Sequence, residues 1–139
     1  MTQKNDCEIL FNALFSTVEV VLKEHKEFYP VGAFLNNNDE IEFIDSFIDN
    51  EFPDSQMVID SLTLSLKQMA KNNEIKACGI AWNGTISTLG SKGSDAIIVS
   101  LEHKNDYSIM VMAPYKIGLF KKIRFSNLIS QDGKKDIFL

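Results

Sequence analysis

The stretch Asp95-Ala96-Ile97-Ile98-Val99-Ser100-Leu101-Glu102-His103-Lys104-Asn105-Asp106-Tyr107-Ser108-Ile109-Met110-Val111-Met112-Ala113-Pro114 decides the fold. Its apolar residues recur with period two on both sides of a polar centre, the signature of two half-buried strands and a turn. A three-residue loop Lys104-Asn105-Asp106 sets Ile97, Val99 and Leu101 opposite Ala113, Val111 and Ile109, and His103 opposite Tyr107, so that one face is continuously apolar. The other face, with Ala96, Ile98, Ser100 and Glu102 beside Ser108, Met110 and Met112, is apolar in the middle and polar at the turn. Both faces are therefore expected to be covered.

Working outward, Cys7, Leu10, Phe11, Leu14, Phe15, Val18, Val21 and Leu22 form an i, i+3, i+4 stripe, which predicts an amphipathic helix starting near Asn5 or Asp6 and ending before Phe28 or Tyr29. Two strand-like runs, 29–35 and 40–48, flank Asn36-Asn37-Asn38-Asp39, a hairpin whose tip at Asn37-Asn38 would set Phe34 opposite Ile41. Pro53-Asp54-Ser55 announces a second helix reaching about Asn72, with Val58, Ile59, Leu62, Leu66, Met69 and Ala70 at helical spacing. Beyond the strand expected over 75–82, Asn83-Gly84 reads as a hairpin turn signal, which makes 85–89 either a further short strand or an arm into the loop Gly90-Ser91-Lys92-Gly93. A strand over 121–129 and a further one over 136–139 complete the reading. The expected fold is a single α+β domain over residues 1–139, an antiparallel sheet of about five strands with two main helices in the order α-β-β-α-β-β-β, then one or two further strands. Profilin-like and roadblock-like domains share that general arrangement, which by itself carries no function.

Composition sets the limits. Hydrophobic residues at 45% and charged residues at 24% give the balance of a globular chain, not of a disordered one. A net charge of −5 gives no reason to expect a nucleic-acid or anionic-membrane partner. No apolar run is long enough to span a bilayer, and the polar start Met1-Thr2-Gln3-Lys4-Asn5-Asp6 does not read as a secretion signal, so the expectation is a cytoplasmic protein. Cys7 and Cys78 lie far apart in sequence and are expected to be buried free thiols.

Three stretches, Phe28-Tyr29-Pro30-Val31-Gly32-Ala33, Asp95 to His103, and Ala113-Pro114-Tyr115, are similar in order and spacing to a family of small uncharacterised bacterial single-domain proteins with F-x-P, D-A-I-x-V-x-L-E-H and P-Y segments. The resemblance implies a bacterial protein of one domain, without assigning catalytic residues.

Chemistry-bearing constellations are incomplete. His25 and His103 each follow a glutamate, but adjacent strand residues point to opposite faces, so Glu102 and His103 do not chelate one ion, and no metal or cofactor is expected. A nucleophile elbow is absent, Cys78 lies in a strand-like run where a structural thiol is expected, and the loop at 90–94 lacks the spacing of a phosphate-binding loop. Lys116, Lys121, Lys122, Arg124, Lys134 and Lys135 make the C-terminal quarter basic against an acidic segment at 39–54, which invites self-association or simply protects an edge strand. The leading functional expectation is a non-enzymatic binding or regulatory module working through protein–protein contacts, a homodimer among them, with a binding surface of Tyr29, Glu102, His103, Tyr107 and Tyr115. The alternatives are a small-molecule site or weak enzyme in a pocket near His103, and an immunity- or antitoxin-like partner.

Overall fold

The structure, a computed structural model, describes residues 2–44, 54–87 and 93–139. Helix α1, Gln3–His25, is followed by β1, Val31–Asn36, and β2, Ile41–Ile44, then α2, Ser55–Lys71. Strands β3, Ile75–Ile86, β4, Ser94–His103, and β5, Tyr107–Ile117, come next, and a short 3-10 turn leads to β6, Ile123–Phe125, and β7, Ile129–Asp132. All pairings are antiparallel in the order β2-β1-β3-β4-β5, with β6 and β7 both paired to β5. The α+β class, the two helices and the antiparallel sheet are as the sequence predicts. The strands number seven among the described residues instead of about five, because Ser126 and Asn127 break the run expected over 121–129 into two short strands that contact different parts of β5.

The two helices take opposite faces of the sheet. Leu10, Leu14, Val18 and Leu22 of α1 share a core with Leu35, Ile97, Val99 and Leu101, while Val58, Leu62 and Leu66 of α2 pack with Phe34, Ile75, Cys78 and Ile80. Strand β3 is the layer between them. Its residues alternate small under α1, as Ala77, Gly79 and Ala81, and larger under α2, as Cys78, Ile80 and Trp82. The small stripe lets α1 lie close: a Cβ on Gly79 would stand 2.7 Å from both Leu14 Cδ1 and Leu101 Cδ2. Asn83-Gly84 makes no turn; it lies inside β3, and a Cβ at Gly84 would meet Ile98 Cδ1 at 2.5 Å.

The β4–β5 register is the predicted one, from Ile97 opposite Ala113 to His103 opposite Tyr107. The β1–β2 register differs by one residue, with Phe34 opposite Glu42 and Leu35 opposite Ile41. Asn36 causes the difference. It stays in the strand, and its side-chain oxygen accepts from the N–H groups of Asn38 (2.8 Å) and Glu40 (3.0 Å), closing a three-residue loop that ends in left-handed Asp39. Thr2 caps α1, its hydroxyl accepting from the Asn5 N–H, so the helix begins earlier than the Asn5 or Asp6 start expected. The expected strand tail 45–48 and the loop residues 88–92 lie outside the described residues.

The close approach at Gly79 predicts that Gly79→Ala costs about 1–3 kcal/mol, because Leu14 and Leu101 must both move for the added methyl. Urea denaturation measures it, and an unchanged midpoint would show that α1 is not seated on this stripe.

Candidate functional site

The last two residues of β4 point to opposite faces, and both are buried, Glu102 at 4% and His103 at 3% exposure. His103 is on the α1 side, where its Nε2–H donates to Asp6 Oδ2 at 2.8 Å. On the other ring nitrogen, Nδ1 accepts from the Asn105 N–H at 3.0 Å, so Nδ1 carries no proton and the imidazole is held as the Nε2–H tautomer. His103 thus does for the β4–β5 loop what Asn36 does for the β1–β2 loop, capping the N–H two residues on, and each loop closes through a left-handed aspartate.

Asp6 is a buried carboxylate in the first turn of α1, near the positive end of the helix dipole, with Oδ1 lacking a hydrogen-bond partner. Its neighbour Cys7 is buried against β4. Burial first, then the carboxylates of Asp6 and Glu102, push the Cys7 thiol from its ordinary 9.0 up to about 12. Burial also raises Cys78 well above the usual thiol range, and Cys78 lies on the α2 face beside Glu102, away from the His103 ring. Neither thiol supplies thiolate near neutral pH.

Glu102 faces α2 and holds the end of the chain. Oε1 accepts from the N–H groups of Ile137 (3.1 Å) and Phe138 (3.0 Å), and Oε2 from Asp136 (3.2 Å) and Ile137 (3.1 Å). Residues 136–139 are therefore not the strand expected but a tail clasped by one carboxylate, with Ile137 buried against the α2 core.

The remaining expected site residues are dispersed. Tyr107 is half-buried across from His103, and burial raises its hydroxyl pKa. Tyr115 lies near the opposite end of β5, buried at 3% exposure, its OH donating to Asn83 Oδ1 at 2.8 Å, with its pKa raised by burial. Tyr29 is 56% exposed just before β1, at the Tyr115 end of the sheet and not beside His103. Glu102, His103 and Tyr107 thus share one end of β4–β5, whereas Tyr29 and Tyr115 belong to the other. The second Glu-His pair, Glu24-His25, is exposed at the end of α1.

Two concave surfaces flank the buried groups. A cleft of about 840 Å³ between α2, the β4–β5 loop and the tail is lined by Lys67, Lys71, Lys104 and Lys135 as well as His103, with Lys135 already paired to Asp106. A second, of about 330 Å³, runs between α1 and β5 and is lined by Phe11, Leu101, Tyr107, Ile109, Val111 and Leu128, with Cys7 among its walls. Among the described residues, no three His, Cys, Asp or Glu side chains converge as a metal site would need, and no helix is long and apolar enough to cross a membrane.

Sequence reasoning missed Asp6 as the partner of His103. The signal was present: Asp6 stands four residues ahead of Leu10 in the series Leu10, Leu14, Val18, Leu22, and so falls on the buried face of α1. The chain matches no family model, no curated protein and no solved structure.

Replacing the clasp by an amide tests its weight. Glu102→Gln puts N–H groups against the tail's N–H donors and should cost about 1–3 kcal/mol, with faster hydrogen exchange at the Ile137 and Phe138 amides; exchange unchanged there would mean that the tail is held by Ile137 packing alone. The Cys7 shift gives a pH window. A folded-state pKa of about 12 above the ordinary 9.0 means the folded state keeps its proton longer, so this contribution to stability is intact below pH 9 and is lost as pH rises from 9 toward 12. Denaturation midpoints in a Cys7→Ala variant should fall less over that window than in the parent.

Proposed function

We propose that the chain is a non-enzymatic binding module acting through protein–protein contacts, a bacterial cytoplasmic protein of the kind the F-x-P and L-E-H segments imply. The observation that carries this reading is the apolar groove between α1 and β5, open beside β7. Strand β7 is exposed along its length, and no described strand pairs with its outer edge. An extended segment of a partner can pair with that edge and lay alternate apolar side chains over Phe11, Tyr107, Ile109 and Leu128. Tyr107 is the expected site residue that this surface keeps.

The buried groups support the same reading from the other side. A general base needs a free lone pair aimed at substrate, and the one on His103 accepts from the Asn105 N–H. Glu102 is saturated by backbone donors and the two thiols stay protonated, so the groups with the most chemistry are engaged in holding the fold. A second copy of the chain, pairing β7 to β7, is one form of this binding, and an immunity- or antitoxin-like partner is another.

A small anionic molecule in the lysine-lined cleft beside His103 is the second reading. Lys67, Lys71 and Lys104 favour it, since none makes an ion pair among the described residues. It ranks below the groove because all three side chains are anchored on solvent-facing positions and the C-terminal turn of α2 attracts lysines for its own dipole.

Panning a phage-displayed library of random peptides on the immobilised chain tests the groove. Enriched peptides should alternate apolar and polar residues, and Leu128→Asp should abolish their binding without altering the melt, Leu128 being 57% exposed. No enrichment, together with strictly monomeric sedimentation at high concentration, would overturn the reading.

A further inference from the structure

The end of β5 and β6 form an arm whose base packs on the α1 core through Ile123 and Phe125 and whose turn is exposed. Lys116 pairs with Arg124 and Ile117 with Ile123, and the chain reverses through Gly118-Leu119-Phe120-Lys121-Lys122. The turn is closed by the Gly118 N–H on the Lys122 carbonyl at 2.8 Å and the Lys121 N–H on the Gly118 carbonyl at 3.1 Å. At its tip stand Leu119, 86% exposed, and Phe120, 93% exposed, above Ile117 at 44%. Two adjacent large apolar side chains almost wholly in water are unusual in a chain whose cores are otherwise well covered.

Charge is sorted with the same sharpness. Residues 107–131 hold Lys116, Lys121, Lys122 and Arg124 and no acid, whereas all nineteen Asp and Glu lie elsewhere in a chain of net charge −5. The four cations are exposed and none makes an ion pair among the described residues. The backbone adds a third observation. Phe120 (φ 61) and Lys121 (φ 58) are both left-handed, a conformation that turns ordinarily give to glycine or asparagine, so the tip keeps bulky side chains where its own geometry disfavours them.

We propose that this arm is a docking element for an anionic membrane surface: Leu119 and Phe120 enter the boundary of headgroups and acyl chains, while Lys116, Lys121, Lys122 and Arg124 contact anionic headgroups around them. The shape selects this occupant. The tip is a convex knob, and its cations lie at the knob and on the rung behind it, about 7 Å back along the strands, the depth over which an apolar surface is buried at a membrane interface. An acidic protein would need a pocket for both side chains and acids at its rim, whereas a bilayer presents both layers along any direction of approach. Net acidity does not oppose the contact, since charges more than about 8 Å from the surface are screened in physiological salt. The sequence expectation of no membrane concerned a span and the overall field; an interfacial contact needs neither.

Co-sedimentation of the full chain with vesicles tests it. Vesicles of phosphatidylcholine and phosphatidylserine at 4:1 should pellet the chain, and pure phosphatidylcholine vesicles should not. Lys121→Gln and Lys122→Gln should each weaken the binding about five-fold, and the double variant Leu119→Ser with Phe120→Ser should abolish it. Because these side chains are exposed, melts matching the parent separate lost binding from lost folding. No pelleting with phosphatidylserine vesicles overturns the proposal and leaves the knob to a protein pocket rimmed with acids; pelleting that survives the double tip variant overturns it equally. The groove variant Leu128→Asp should bind vesicles like the parent, so a failure here is distinguishable from a failure of the protein-binding reading.

Discussion

The end of strand β4 ties both chain termini to the sheet. Glu102 and His103 are neighbours in sequence and, by the alternation of a strand, face opposite layers. His103 holds Asp6 at the start of α1, and Glu102 holds the backbone of Asp136, Ile137 and Phe138. A carboxylate and an imidazole could not be buried at this depth without partners, because the desolvation of an unpaired polar group exceeds what one hydrogen bond returns. The partners come from the two ends of the chain, so closing this site requires the first turn of α1, the β4–β5 loop and the tail to be in place together. Asp6 Oδ1, left unbonded, is the one imperfect point among the described buried side chains.

That constraint explains why residues whose types read as site residues are also engaged in contacts that hold the fold. The sequence shows their types and spacing, and both invite catalysis. What decides the matter is whether a lone pair remains free, and that depends on contacts across 97 positions for Asp6 and His103 and on backbone amides for Glu102. Tyr115 follows the same rule. Its hydroxyl is satisfied by Asn83, a residue that reads as a turn former but lies inside β3, where the neighbouring Gly84 leaves room for Ile98. Such long-range satisfaction leaves no periodic trace, apart from an acid such as Asp6 standing on an otherwise apolar helical stripe.

Periodic features, in contrast, were legible. The β4–β5 register follows from alternation on both strands and a loop of residues that accept left-handed backbone, and Asp106 adopts it. The β1–β2 hairpin has the same loop design, yet its register reads one residue out, because three asparagines in succession do not say which one stays in the strand. Only the Asn36 side chain, capping the amides of the loop, settles that. The second short strand on β5 was hidden for a similar reason, since the alternation around Lys122-Ile123-Arg124-Phe125 gives no sign that the chain leaves the ladder at Ser126 and rejoins β5 farther back.

With the buried acids and the imidazole committed to the fold, the surface is where binding can be built, and it is divided. Strand β5 carries a different surface at each of its ends. Near Tyr107 it forms the floor of the groove beside α1, and beyond Ile117 it turns through the exposed tip of the β5–β6 arm. Between the rungs of Tyr107 and Ile117 lie ten residue steps, about 33 Å of strand, so one strand presents two surfaces that do not obstruct one another. One is apolar and concave; the other is apolar, convex and ringed by cations. The two occupants proposed for these surfaces would therefore not compete for space, and what links the surfaces is a strand packed in the middle by Val99 and Leu101 of its neighbour.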